Sequence, residues 1–303
     1  MDCISRAAAA VRDRLPAVDY RLDEPMKEHT SFRIGGLARV MYLPKSAGEL
    51  TALYETLREY EAAVLIIGNG TNMLISDRPL EIAVIKTTGL CSVELSGDNE
   101  VTADAGAPLS QLAGFARDSE LTGLEFAYGI PGSVGGAVSM NAGAYERDMS
   151  GVVYRTAVYS RESGMRAITA GEHSFSYRRS RFTDSDEIVI SSTFRLRKGI
   201  REHIGAEMET LSARRRESQP LDMPSAGSTF KRPKNGYAAA LIEQAGLKGE
   251  TVGGAQVSDK HSGFIVNRGN ATFEDIMRLM ERVRDTVYLQ TGVELEPEVK
   301  IIR

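Results

Sequence analysis

The chain has 303 residues, with 37 Lys and Arg against 41 Asp and Glu and a formal net charge of −4. That length suits about two domains with a core that needs no covalent staples, and the mild acidity excludes any global attraction for nucleic acid or an anionic membrane. The two cysteines, Cys3 and Cys91, lack metal-type spacing, which argues against a disulfide framework and a metal site and fits a reducing compartment.

The opening Met1-Asp2-Cys3-Ile4-Ser5-Arg6 carries no signal-peptide pattern. No apolar run approaches the roughly 20 residues that span a bilayer. A soluble cytoplasmic protein is the expectation. Short apolar β-type runs alternate with amphipathic ones, so the class is mixed α and β. Ser46-Ala47-Gly48-Glu49 predicts a capping box before a helix carrying Leu50, Leu53 and Leu57. Ala62-Ala63-Val64-Leu65-Ile66-Ile67 reads as a buried strand, followed at once by Gly68-Asn69-Gly70-Thr71-Asn72. Behind Pro108, the residues Leu109, Leu112, Ala113 and Ala116 predict a second helix. Residues 129–143 are dense in glycine and uncharged, a composition that penalises helix and strand alike and predicts a loop. Strands are expected over 152–160 and 187–196.

The character changes near Lys198-Gly199, where we place the main boundary. A polar helix over about 201–217 leads into Gln219-Pro220 and an irregular loop, Ser225-Ala226-Gly227-Ser228-Thr229-Phe230. A short helix over 238–245 stops at Gly246. Thr272 caps the last helix, whose apolar stripe is Phe273, Ile276, Met277, Met280, Val283 and Val287, and Gly292 ends it. The final segment alternates as a strand does: Val293, Leu295, Pro297, Val299 and Ile301 face one way, Glu294, Glu296, Glu298 and Lys300 the other.

Glycines directly after a buried strand let main-chain N–H groups approach an anion, and a run of them can hold a pyrophosphate. The segment 68–72 is not a Walker A loop, because no Gly-Lys-Ser/Thr follows. Nor is it a full dinucleotide fingerprint, because Met73 stands where the third glycine belongs. Alone it reads equally as a plain turn. Residues 129–143 shift the balance, because linkers seldom mix Ile, Val and Met at such density. A loop closing over a ligand with its backbone explains them better.

Ser31-Phe32-Arg33-Ile34-Gly35-Gly36, then Gly68-Asn69-Gly70-Thr71-Asn72, then Gly129-Ile130-Pro131-Gly132-Ser133-Val134-Gly135-Gly136 resemble the FAD-binding domain of the vanillyl-alcohol-oxidase (PCMH) type. Adding Tyr177-Arg178, Ala226-Gly227-Ser228-Thr229-Phe230-Lys231 and Glu296-Pro297-Glu298-Val299, the order and spacing are similar to the UDP-N-acetylenolpyruvoylglucosamine reductase family from about His29 to Ile302. The resemblance implies an α+β chain. A two-subdomain FAD-binding domain would occupy 1–197 (subdomains about 1–88 and 89–197), and a smaller α+β UDP-sugar-binding domain 198–303. It implies non-covalent FAD, NADPH as co-substrate, and reduction of the enolpyruvyl ether of UDP-N-acetylenolpyruvoylglucosamine to UDP-N-acetylmuramate, in peptidoglycan precursor synthesis. No flavin-attachment pattern surrounds His29, which reads as a polar or capping histidine. No oligomer is implied, and a monomer is the default.

The resemblance also assigns roles. Hydride addition to the enolpyruvyl methylene carbon pushes electrons toward the carboxylate, so fixed donors there stabilise developing charge. Arg178 matches the family's catalytic arginine, and a guanidinium fork suits a carboxylate. Ser228 matches its proton donor: a hydroxyl is a weak acid, but the carbanion-like carbon is a strong base. Glu298 matches the third catalytic group and would orient or polarise the carboxylate. The cofactor contacts implied are Gly68, Asn69, Gly70, Thr71, Asn72, Gly132, Ser133, Val134, Gly135, Gly136, Asn141 and Arg215, and the substrate contacts are Tyr177, Lys231 and Arg232. On composition alone, residues 175–182 are equally a solvated basic β segment, 225–229 a polar turn or helix N-cap, and Glu298 an exposed strand glutamate beside Lys300. Likewise, Arg214-Arg215-Arg216 could simply complement a helix dipole. No tyrosine lies between Tyr177 and Tyr237, so the chain resembles the family's second, lidless type. Two other readings stay open: an oxidase of the same superfamily that passes hydride to oxygen, and a nucleotide-sugar-binding protein without turnover.

Overall fold

The structure, a computed structural model, describes residues 2–234 and 236–303. They group into two units.

The first unit comprises residues 2–22, Arg39–Asn69 and Glu81–Arg214. It contains two sheets. One has four strands in the order Asp19–Pro25, Leu37–Leu43, Leu80–Lys86, Val64–Ile67, the last two parallel with Val64 opposite Ala83. Helix Ala47–Glu59 begins where expected, with Ser46 Oγ accepting the Glu49 N–H at 3.1 Å. Its Leu50, Leu53 and Leu57, with Ala7 and Val11 of helix Cys3–Arg14, bury against Val40, Tyr42 and Ile85. The other sheet is antiparallel, ordered Gly164–Thr169, Val153–Ser160, Ile188–Arg195, Glu100–Asp104, Val93–Gly97. Helices Leu109–Asp118 and Val134–Met140 cover it, packing Leu112, Ala116, Val134 and Val138 onto Val101, Ala103 and Phe194. A leucine or valine buried in this way contributes about 2 kcal/mol.

Helix Val134–Met140 corrects the expectation of a loop over 129–143. Its Gly135 is there for proximity. A Cβ at Gly135 would stand 2.9 Å from the Ala105 Cβ, so the helix can lie on the 104–107 turn only without one. Close packing there outweighs the roughly 1 kcal/mol helix penalty of that glycine.

The second unit comprises Asp23–Ala38, Gly70–Leu80 and Arg215–Arg303. Its antiparallel strands Thr251–Val252, Ala255–Val257 and Ile265–Asn267 pack with helices Ala238–Gln244 and Phe273–Thr291. The long helix has the expected reciprocal cap, Thr272 with Asp275, and Gly292 ends it at φ 69°. Ile276, Leu279, Met280, Val283 and Val287 are its buried face, while Phe273 and Met277 lie at the margin. Lys300–Ile302 pairs in parallel with Met73–Ile75, and this long-range pairing draws residues 70–80 into the C-terminal unit. The division expected at 197/198 falls within the first unit, which runs on to Arg214.

The terminal segment keeps its predicted alternation, with Leu295 and Val299 buried and Glu294 and Glu296 exposed. Only Lys300–Ile302 is regular strand, however. Pro297 cannot donate to a ladder, and the chain on either side of it makes only isolated bonds with 229–231. Among the described residues no helix is long and apolar enough to cross a membrane.

Candidate active site

In the first unit, strand Val64–Ile67 delivers Gly68 against Ser133, where a Cβ on the glycine would stand 2.0 Å from Ser133 Oγ. Main-chain bonds lock the second glycine segment onto the 105–109 turn: Leu109 N–H to Gly132 O at 3.0 Å, Val134 N–H to Ala107 O at 2.9 Å, and Gly135 N–H to Ala105 O at 2.7 Å. Ser133 Oγ is left buried with no hydrogen-bond partner. The N–H groups of buried Ser133, half-buried Asn69 and exposed Gly136 pair with no main-chain acceptor among the described residues. Buried polar groups are normally paired. Unpaired N–H groups beside a hydroxyl, with no carboxylate bonded to them, suit the oxygens of a pyrophosphate.

The same short helix reaches a second locus at its other end, about 10 Å away at 1.5 Å rise per residue. Ser176 and Arg179 exchange two main-chain bonds, at 2.9 and 3.2 Å, and so close a turn with Tyr177 and Arg178 at its tip. Arg178 adopts φ 54°, a left-handed conformation that costs a side-chain-bearing residue about 1–2 kcal/mol. Its Nη2 donates to Gly143 O at 3.0 Å, and its guanidinium lies 5.1 Å from the centre of the half-exposed Tyr177 ring. Gly143 belongs to a hairpin, Gly143–Ala144 with Arg147–Asp148, whose tip residues Tyr145 and Glu146 both have positive φ.

Behind that hairpin lies Glu125, which is absent from the residues expected at the site. Its carboxylate is fully buried, accepts the Gly123 N–H at 3.0 and 3.1 Å, and meets Arg147 Nη1 at 3.4 Å. Arg147 also bonds Glu207 at 2.7 Å. The signal was available: a lone acid amid Leu124, Phe126 and Ala127 is unlike a solvated face. Asn141, expected on the cofactor, is buried, and its side-chain amide is engaged by protein groups.

In the second unit, residues 228–231 run between two neighbours. On one side Ser228 bridges Phe264, and the Thr229 N–H donates to Gly263 O at 2.8 Å. On the other the Glu298 N–H donates to Thr229 O at 2.9 Å and the Lys231 N–H to Glu296 O at 2.8 Å. Ser228 and Glu298 are thus held on adjacent chains, both half-buried. Gly227, at φ 76°, makes the bend that precedes Ser228. Asn72 braces this arrangement: its Nδ2 donates to Glu298 O at 3.0 Å and its own carbonyl accepts the Lys300 N–H at 3.0 Å. Burial pushes nearby His261 below its ordinary pKa, and its Nδ1 accepts the Gly263 N–H at 3.1 Å. Lys231 forms an ion pair with Glu296. The Arg232 guanidinium stacks 4.0 Å from the centre of the exposed Tyr237 ring. Arg215 lies half-buried near the end of helix Arg201–Ser218. His29 is buried and caps the short helix Met26–Glu28, its N–H donating to Met26 O at 2.9 Å, and its Nε2 lies 2.7 Å from Glu24 Oε1.

The chain is similar in sequence and fold to known proteins. Residues 219–302 match the family described as "UDP-N-acetylenolpyruvoylglucosamine reductase, C-terminal domain", and residues 38–161 match "FAD binding domain". The UDP-N-acetylenolpyruvoylglucosamine reductase of Caldanaerobacter subterraneus subsp. tengcongensis is 49% identical over 281 residues, 93% of each chain. That of Clostridium kluyveri is 42% identical over 295 residues, 97% of each. The crystal structure of UDP-N-acetylenolpyruvylglucosamine reductase from Thermus caldophilus matches with a TM-score of 0.80 at 31% identity, over 94% of this chain and 99% of that one.

Proposed function

The chain belongs to the UDP-N-acetylenolpyruvoylglucosamine reductase family, and from that membership we propose that it uses NADPH to reduce UDP-N-acetylenolpyruvoylglucosamine to UDP-N-acetylmuramate for peptidoglycan synthesis, as a cytoplasmic monomer. The observation that carries the reading is the main-chain pairing of Thr229, the residue after Ser228, with Glu298, which brings the two segments side by side. A hydroxyl and a carboxyl on neighbouring chains are what protonation next to a substrate carboxylate requires.

The residues fit FAD. The partnerless Ser133 hydroxyl and the N–H groups of Asn69, Ser133 and Gly136 would bind its pyrophosphate, with Gly68, Gly70, Thr71, Asn72, Gly132, Val134 and Gly135 forming the backbone around it. Arg215 would contact the flavin. When bound, FAD supplies the two-electron relay that carries hydride from the nicotinamide to the enolpyruvyl methylene carbon. The protein does the rest. Arg178 binds the substrate carboxylate and stabilises the charge that grows there as hydride arrives. Ser228 Oγ gives its proton to the adjacent carbon and is re-protonated from solvent, and Glu298 orients the carboxylate. Lys231 and Arg232 take the diphosphate, with Tyr177 packing on the sugar. The functional division is an FAD-binding part, 1–197, and a UDP-sugar-binding part, 198–303, with 23–38 and 70–80 folded into the latter's unit.

The purified protein is expected to be yellow with a flavin spectrum. Without oxygen, NADPH bleaches it and UDP-N-acetylenolpyruvoylglucosamine restores the colour. A colourless protein that no added FAD converts, or reoxidation by oxygen as fast as by the substrate, would overturn the reading. The cradle has its own test. In Gly68→Ala the new Cβ collides with Ser133 Oγ, and flavin affinity is expected to fall by about tenfold or more, the equivalent of one or two lost phosphate hydrogen bonds. Titration of the apoprotein with FAD measures it, and wild-type affinity would remove Gly68 from the cradle.

A further inference from the structure

We propose that Asn141 is a positioning residue: it ties the turn that presents Arg178 to the end of helix Val134–Met140, and acts on the reaction through Arg178 rather than by a side-chain contact with the cofactor. The inference deepens the functional reading above and rests on it.

Asn141 is the C-cap of that helix, at φ 46° and ψ 54°, and only 3% exposed. Asparagine is among the few residues that adopt this conformation readily. Its side chain has two donor hydrogens and one acceptor oxygen, and all are engaged by protein. Nδ2 donates to Ser176 O at 3.0 Å and to Asp148 Oδ2 at 3.2 Å, and Oδ1 accepts the Ser150 N–H at 2.9 Å. No side-chain hydrogen remains for a ligand.

The contact with Ser176 is the informative one. Ser176 is the first residue of the turn that carries Tyr177 and Arg178, and its carbonyl also accepts the Arg179 N–H. At the other end of the turn, Ser180 Oγ donates to Ser139 O at 2.7 Å. Both ends of the turn are therefore fastened to the last residues of one helix. Between them Arg178 sits at φ 54°, a strained state that persists only where its surroundings over-determine it. The far end of its side chain rests on Gly143 O, and Asn141 also fixes that hairpin, through Asp148, the residue paired with Gly143. One amide thus sets both the turn that aims Arg178 and the carbonyl that receives its guanidinium. Displacing a positioned group by about 1 Å can cost about 100-fold in rate.

Two variants keep the left-handed cap, which separates side-chain loss from backbone strain. Asn141→Gly removes the side chain. Asn141→Asp keeps the acceptor for Ser150 but loses both donors and sets a carboxylate against Asp148. In the FAD-loaded enzyme each is expected to slow reoxidation by the enolpyruvyl substrate by about 30- to 100-fold. FAD affinity and the rate of bleaching by NADPH should stay within about threefold of the parent. On an Arg178→Ala background, Asn141→Gly should cost less than about threefold more, because coupled residues are not additive. Weakened FAD binding, parent-like reoxidation in both variants, or a full additional loss without Arg178 each overturns the proposal. A readout independent of the substrate guards against an error in the functional reading. Amide exchange at Arg179, bonded to Ser176 O, should rise about tenfold in Asn141→Gly while strand Ile188–Arg195 is unchanged; parent-like exchange there overturns the positioning role whatever the substrate is. Failure of the parent enzyme itself to be reoxidised by the substrate would sink the functional reading alone.

Discussion

Replacing Ser228 by alanine is expected to slow substrate-driven reoxidation of the flavin by about 10²–10⁴-fold, the range that general acids supply, while bleaching by NADPH stays near the parent rate. The asymmetry follows from where the proton goes. Delivery of hydride to the flavin needs no proton from this hydroxyl, but completion of the lactyl ether does. The substitution is structurally quiet. Ser228 meets Phe264 through the main chain, and the neighbouring bond from the Thr229 N–H to Gly263 O is a main-chain bond too. Folding and FAD content should therefore be unchanged, and thermal melting and the flavin absorbance ratio check this. Stopped-flow absorbance separates the two half-reactions. Equal slowing of both, or no slowing of the second, would remove Ser228 from the proton step.

Much of this arrangement was readable from the sequence, and what escaped has physical causes. Helix caps were legible because they are local: Ser46 with Glu49, and Thr272 with Asp275, lie three residues apart and bond as their types allow. The strand leading into Gly68 was legible for the same reason, as an apolar run meeting glycine. Helix Val134–Met140 was not, because its Gly135 answers to Ala105, thirty residues earlier in the chain, and a propensity argument sees only the local cost of glycine. Nor could local pattern show the parallel pairing of Lys300–Ile302 with Met73–Ile75, which carries Asn72 to the Glu298 carbonyl. Glycine content pointed to the cradle, but the partnerless Ser133 hydroxyl is a property of packing alone. Family resemblance named Arg178, Ser228 and Glu298. It did not reveal that Arg178 is strained, or that Asn141 and the buried Glu125 brace its surroundings.

That strain gives Arg178 a distinctive pair of expected outcomes. Arg178→Ala should slow reoxidation by the substrate by about 10²–10³-fold, the usual effect of removing a donor aimed at developing charge. Arg178→Lys should recover only part of this, because an ammonium cannot bind both carboxylate oxygens in the plane of a fork. Arg178→Gly should be as slow as Arg178→Ala yet more stable than it by about 1 kcal/mol, because φ 54° is open to glycine and costly for alanine. In a helix interior the order would be the reverse. Denaturant titration of the two FAD-loaded variants measures the difference, and their half-reaction rates supply the other axis. If alanine proves as stable as glycine at this position, the turn stores no strain, and the claim that Asn141 and Ser139 hold it against relaxation loses its energetic basis.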